Sequence, residues 1–369
     1  MIGWPQAVVI LIMIFFAIGC TYDAQYADCT IHCTADSGCP DDLVCLSDGF
    51  CRSPGVVSAC SSTSEVSPSC DGLPKTCGPS GDEDCCSTAE TIPGGTFYRS
   101  YDTASDGMYS TMSYPATVSA FKLDRFEVTV GRFRKFVEAG MGTQANAPLA
   151  GTGGRYLNAT PNQAGWEYSW TTALQNTSNN LVAALKCDNT HQTWTDVAGA
   201  NEDLAVNCVS WFEAAAFCLW DGGFLPTETE WNFAASGGEQ QRAYPWSGPA
   251  DSLDIDCTRA NYNKNYPVGF CTNGSTGAVV PAGSESPSGD GRWGHADLGG
   301  NINEWTLDAH DNYQGACDGC ADLNDNGSRV VRGSDWANAA DTLRSAFRNY
   351  TAPDTRDPKV GIRCARPLH

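Results

Sequence analysis

Hydrophobic and polar positions alternate between Val118 and Val130, the two-residue period of a half-buried strand. The pattern changes at Arg132-Phe133-Arg134-Lys135-Phe136-Val137, whose spacing predicts the start of an amphipathic helix. A further helix is predicted from Trp211 to Leu219, with Phe212, Ala215, Ala216 and Leu219 on one side. Another runs from Glu228 to Ala235 and is opened by Pro226-Thr227, where the threonine is suited to capping. Elsewhere turn residues interrupt the chain every few positions, no long period develops, and no repeat is found. This pattern predicts a domain of few helices and much irregular structure, made rigid by disulfides or ions. Near the N-terminus, Ala7 to Gly19 is an uncharged apolar run too short to span a bilayer comfortably, so 1–19 reads as a signal peptide.

Composition sharpens this picture. The 369 residues suit one large domain with a smaller attachment, and 41% hydrophobic residues with eleven tryptophans supply a sizeable core. Lys and Arg total 22 against 43 Asp and Glu, a formal charge of −21 that repels phosphate backbones and argues against nucleic acid as a partner. Nineteen cysteines in such a chain imply either disulfides or metal. Only Cys317-Asp318-Gly319-Cys320 has zinc-type spacing, and no second pair completes four ligands. Disulfides, and therefore export, are the reading that fits.

The apolar run ends in Ala17-Ile18-Gly19-Cys20, which resembles a bacterial lipobox and makes Cys20 the expected lipidation site. The alternative is an ordinary secretory signal with Cys20 left to pair. Because Thr21 rather than aspartate follows, a lipoprotein goes by analogy to the outer membrane. From Cys29 to Cys86 lie ten cysteines, which read as a disulfide framework because so little apolar surface cannot stabilise a fold unaided. Within it, 61–69 is a linker by its serine-rich composition. The framework is either a recognition module or a stapled stalk. The composition shift at Ile92 sets the expected boundaries: 20–91 for the lipidated cysteine, disulfide-rich segment and linker, and 92–369 for the main domain.

Four blocks in the main domain carry a family resemblance. They are Phe121-Lys122-Leu123-Asp124-Arg125-Phe126-Glu127-Val128-Thr129, then Val206-Asn207-Cys208-Val209-Ser210-Trp211 with Leu225-Pro226-Thr227-Glu228-Thr229-Glu230-Trp231, then Asp297-Leu298-Gly299-Gly300-Asn301-Ile302-Asn303-Glu304-Trp305, and finally 330–336 through Gly361-Ile362-Arg363-Cys364. In this order they resemble the formylglycine-generating enzyme (sulfatase-modifying factor) family. The resemblance implies an α+β fold, a compact variant of the C-type lectin fold with much irregular structure. It also implies a structural calcium held by side-chain oxygens of Asp297 and Glu304 and carbonyls of Gly300 and Ile302, a donor set of hard oxygens suited to that ion. It further implies a disulfide between Cys218 and Cys364. The remaining expected pairs are Cys187 with Cys208, Cys257 with Cys271, and Cys317 with Cys320.

Active family members carry two cysteines a few residues apart in the last block, where they bind copper and oxidise a cysteine of a substrate sulfatase. This chain has no cysteine between Cys320 and Cys364. Copper(I) selects thiolates, so copper is not expected. The reading preferred on these grounds is a non-catalytic, extracytoplasmic ligand-binding or surface protein. The alternatives are a formylglycine-generating oxidase and a variable lectin-fold display protein. Trp336, Arg344, Phe347 and Arg348 are the candidate lining of a retained pocket for a peptide or glycan. Asp322 to Gly327 fits the first half of an EF-hand loop, but Gly333 stands where the bidentate glutamate belongs, so it reads as a solvated turn.

Overall fold

A computed structural model of the chain describes Val44–Cys45, Cys51–Arg52 and residues 67–368, apart from 105–109, 155–157, 161–164, 268, 273–276, 325–326 and 367. The expected signal peptide, Cys20 and most of the first cysteine cluster lie outside the described residues.

Four α-helices are present among the described residues, each started by a side-chain cap. In α1 (Val130–Glu138) the Thr129 hydroxyl accepts from the Arg132 N–H, and Val130, Phe133, Phe136 and Val137 are buried. Thr177 caps α2 (Ser178–Ala184), a helix without a visible apolar period that buries Leu181 alone. Both α3 (Trp211–Trp220) and α4 (Glu228–Ala235) begin with reciprocal capping boxes, Ser210 with Glu213 and Thr227 with Glu230. The predicted strand from Val118 to Val130 is shorter and broken. Pro115–Val118 and Lys122–Leu123 are strands, and the residues after them turn into α1. Asp124 and Glu127 interrupt the alternation because both are fully buried on internal polar partners rather than facing water.

The central sheet has four strands in the order Asn349–Thr351, Arg329–Arg332, Asn303–Ala309, Val360–Gly361. The first two pairings are antiparallel and the last is parallel. A second sheet joins Gly95–Tyr98, Pro115–Val118 and Cys317–Asp318. Shorter pairs link Lys122–Leu123 to Ala365–Arg366 and Asn158–Thr160 to Cys320–Asp322. The larger core lies between α1, α2, α3 and the central sheet, with Phe133, Phe217, Trp211, Trp305, Val331 and Ile362 in contact. A second core gathers Phe97, Trp231, Phe233, Trp293 and Leu298 around α4. The architecture is α+β with short elements and long connections.

The compact unit begins ahead of Ile92. Disulfides Cys70–Cys86 and Cys77–Cys85 staple the segment before it, and Cys77 and Cys85 pack with Phe126, Ala282 and Ala296. Pro68–Cys70 is a short 3₁₀ turn rather than linker, and Ser69 within it is fully buried. The division at residue 92 therefore cuts through packed structure: the knot has too few apolar residues of its own and completes its core with those of the domain.

Ser69 belongs to a closed ion network. The Arg132 guanidinium donates to Ser69 Oγ at 3.0 Å, to Asp124 at 2.9 Å and to Asp221 at 2.6 Å. Arg366 donates to the same two aspartates at 2.6 and 2.7 Å. Burial pushes the Asp124 carboxyl up, and Arg366 and Arg132 overcome that and hold it below its ordinary value. Two arginines and two aspartates thus fasten α1, the end of α3 and the C-terminal strand to one point.

Candidate functional site

The loop entering the central strand is curled by backbone geometry that few residues adopt. Asp297, Gly300 and Asn301 have φ of 57°, 93° and 59°, and Asp and Asn tolerate that region better than other non-glycine residues. At Gly300 a Cβ would stand 2.6 Å from the Asn261 carbonyl, so only glycine fits there. The curl brings Asp297 beside Glu127 and Glu285, with Glu304 following on the strand. Glu127 and Glu304 are fully buried, and Asp297 is 7% exposed.

These carboxylates outnumber the cations around them. Arg363 donates to Glu304 Oε1 at 2.8 Å, and the Trp231 indole donates to Oε2 at 2.6 Å, so both Glu304 oxygens have internal partners. Asn301 donates to Glu127 Oε2 at 2.6 Å, whereas Glu127 Oε1 is buried without a partner among the described residues. Burial, then the charges of Asp297 and Glu304, push the Glu127 carboxyl well above its ordinary value. Burial likewise raises Asp297 to about 6 and Glu285 to about 8. An orphaned carboxylate oxygen amid like charges fits a hard cation. Among the described residues no group of three or more His, Cys, Asp or Glu side chains is arranged to hold a metal alone. An ion here would draw on carbonyls as well. Glu127 was absent from the sequence-derived donor set, although its position between Phe126 and Val128 in an apolar stretch signals burial.

In the C-terminal block the expected pocket residues meet the following neighbours. Trp336 is buried, stacks on His191 at 4.7 Å and meets Phe270 at 5.9 Å. Arg344, Phe347 and Arg348 meet other groups. Arg348 donates to the two Glu228 oxygens at 2.6 and 2.8 Å, and Arg332 pairs with Glu228 at 2.8 Å. Arg332 also donates to the Phe347 carbonyl, and Arg344 pairs with Asp102 at 2.7 Å. Burial pushes Glu228 up, but Arg348 and then Arg332 reverse this and hold it at about 2. Asp335, next to Trp336 in the chain, accepts from Ala337 N at 2.9 Å, and from the Asn303 and Asn338 amides at 2.6 Å each.

All eight cysteines after Ile92 are in disulfides. Cys218 and Cys364 are bridged with Cα atoms 5.5 Å apart, tying α3 to the C-terminal strand. Cys187–Cys208, Cys257–Cys271 and Cys317–Cys320 complete the set. The oxygen and guanidinium groups of the C-terminal block are hard or cationic, and no thiol accompanies them.

The model of the "Sulfatase-modifying factor enzyme 1-like domain" family matches residues 79–368. The chain belongs to that family. Its start within the stapled knot agrees with the packing of that segment onto the domain. Among relatives, the inactive C-alpha-formylglycine-generating enzyme 2 of Bos taurus is 29% identical over 293 residues, covering 74% of this chain and 86% of that protein. The formylglycine-generating enzyme of Bos taurus is 26% identical over 270 residues, covering 67% of this chain and 66% of that protein. Among solved structures, PvdO from Pseudomonas aeruginosa superposes with a TM-score of 0.48 at 19% identity, covering 75% of this chain and 93% of that one. Membership of the family over residues 79–368, with the sheets and helices described above, gives this chain the α+β fold of the sulfatase-modifying-factor domain.

Proposed function

We propose that this sulfatase-modifying-factor domain is non-catalytic and serves as an extracytoplasmic binding or surface protein. One observation carries the reading: every cysteine after Ile92 is in a disulfide, and the stretch between Cys320 and Cys364, where active relatives carry their cysteine pair, has none. A copper(I) oxidase needs a pair of free thiolates, and the carboxylates, amides and guanidiniums of 330–350 are poor substitutes for that soft ion. The similarity to a relative named as inactive agrees with this.

The sequence adds the location: a lipid on Cys20 anchors the protein in the cell envelope, at the outer membrane by the residue that follows. The ligand is a peptide or glycan, with no role for nucleic acid. Calcium is structural, on the expected donor set of Asp297, Glu304 and the carbonyls of Gly300 and Ile302. The unpartnered Glu127 Oε1 beside it supports the reading, and an ion there would share Glu304 with Arg363 and the Trp231 indole. The ion supplies charge neutralisation to a buried acidic loop and takes part in no reaction.

The test is to mix the protein with copper(I) and a sulfatase-motif peptide and to search for formylglycine by mass spectrometry. The expected result is no aldehyde. Loss of the peptide thiol alone is not the readout, because disulfide exchange also consumes it. Aldehyde that depends on this protein would restore the oxidase reading.

A further inference from the structure

The Cys317–Cys320 bridge differs from the other five disulfides found among the described residues. It closes a separation of three residues, against 8, 14, 16, 21 and 146 for the rest. Cross-linking removes less entropy from the unfolded chain when the loop is short, so this bridge stabilises the folded state least.

Its surroundings favour opening. Cys317 is half-buried, whereas Cys320 is 9% exposed. Gly319 between them has a φ of 56°, and a Cβ there would meet nothing within 4 Å, so the tip faces open space. The Cys320 sulfur lies 3.6 Å from the Thr229 hydroxyl, in the first turn of α4. A hydroxyl donor and the positive end of a helix both stabilise a thiolate. Among nearby acids, Glu228 is paired with Arg332 and Arg348, and Asp308 accepts from the N–H groups of Glu228 and Asp322 while burial, then the Glu228 charge, raises it to about 7.

The backbone does not depend on the bridge. Cys317–Asp318 pairs with Pro115–Val118, Gly319 N donates to the Thr117 carbonyl at 2.9 Å, and Cys320–Asp322 pairs with Asn158–Thr160.

We propose that Cys317 and Cys320 form a thiol–disulfide exchange site whose substrates are dithiols. A substrate thiolate attacks Cys317 Sγ, the Cys317–Cys320 bond breaks, and Cys320 leaves as a thiolate that takes up a proton. The second substrate thiol then attacks the mixed disulfide and releases Cys317. The substrate gives up two electrons and two protons and becomes a disulfide, and the protein gains both as a dithiol. A disulfide substrate runs the sequence backwards.

The experiment titrates the full-length protein with dithiothreitol, alkylates the thiols formed and maps them by mass spectrometry. Cys317 and Cys320 should open at several-fold lower dithiothreitol than Cys257 and Cys271, because Cys320 leaves as a thiolate beside the Thr229 hydroxyl at the start of α4. The near-ultraviolet circular dichroism should stay native. Opening together with the other bridges, or only with loss of that signal, refutes the proposal. Single variants locate the attacked sulfur. With oxidised glutathione, Cys320→Ser should gain one glutathione at Cys317, and Cys317→Ser should gain none at Cys320. A Cys320→Ser protein that stays folded and gains no adduct is the second refuting result.

Discussion

Arg132 carries an unusual share of the structure for a single side chain. It is fully buried and satisfies Ser69, Asp124 and Asp221 together, which come from the stapled knot, the segment before α1 and the end of α3. A neutral replacement leaves two buried carboxylates with Arg366 as their shared cation. Removing one partner of a buried ion network costs about 3–5 kcal/mol, far more than the loss of an exposed pair. Arg132→Met should therefore lower the urea midpoint sharply, and a loss below about 1 kcal/mol would mean that the network relaxes around the gap. None of this was legible in sequence. The arginine appears there as the polar start of an amphipathic helix, and its partners lie 63 to 89 positions away except for Asp124.

Among elements, the loop from Asp297 to Glu304 decides the calcium proposal. An ion bound only by the folded protein stabilises it by mass action, by about 2.7 kcal/mol at a free concentration one hundred times the dissociation constant. Chelation should lower the melting temperature by several degrees, and Glu127→Gln should weaken the response. A melting curve identical with millimolar calcium and with chelator removes the ion from the account. The helices α1, α3 and α4 were readable because their signals are local: a cap, a period, a run of helix formers. The short α2 was not, since it buries one leucine and has no period to display. The central sheet was equally hidden. Its strands are short and come from four separate stretches, and two of them are buried on both faces, so no alternation marks them. The partners of the expected pocket residues were not readable either: Trp336 meets His191, Arg348 meets Glu228 and Arg344 meets Asp102, all far away in sequence.

For the molecule as a whole, buried titratable groups set how stability responds to pH. Burial raises Asp308 to about 7 and Asp335 to about 6, both above the ordinary 3.8. The folded state then holds protons that the unfolded chain has released, so their contribution is complete below about pH 4 and is lost as pH rises through those values. His295 acts in the other direction. Burial, then Arg363, lowers it to about 3, so the unfolded chain gains a proton below its ordinary value of 6.5 and stability falls with further acid. A formal charge of −21 adds repulsion that eases on acidification. With chelator present throughout, the melting temperature should rise from pH 8 toward about 4, since the raised Asp308, Asp335, Asp297 and Glu285 outnumber His295. It should fall in stronger acid as Glu228 and Asp124 take up protons. Asp335→Asn should flatten the limb between about pH 6 and 4. A melting temperature that climbs steadily from pH 6 to 8 would contradict this balance.

The strand Val360–Gly361 lies at the edge of the central sheet, and Arg363 and Cys364 follow it within three residues. During synthesis these residues emerge after the partners they complete, Glu304, Cys218 and the Asp124 N–H. A nascent chain stopped ahead of Val360 holds a buried glutamate without its arginine, a thiol without its mate and a sheet with an open side. The domain consequently closes only after this segment has emerged.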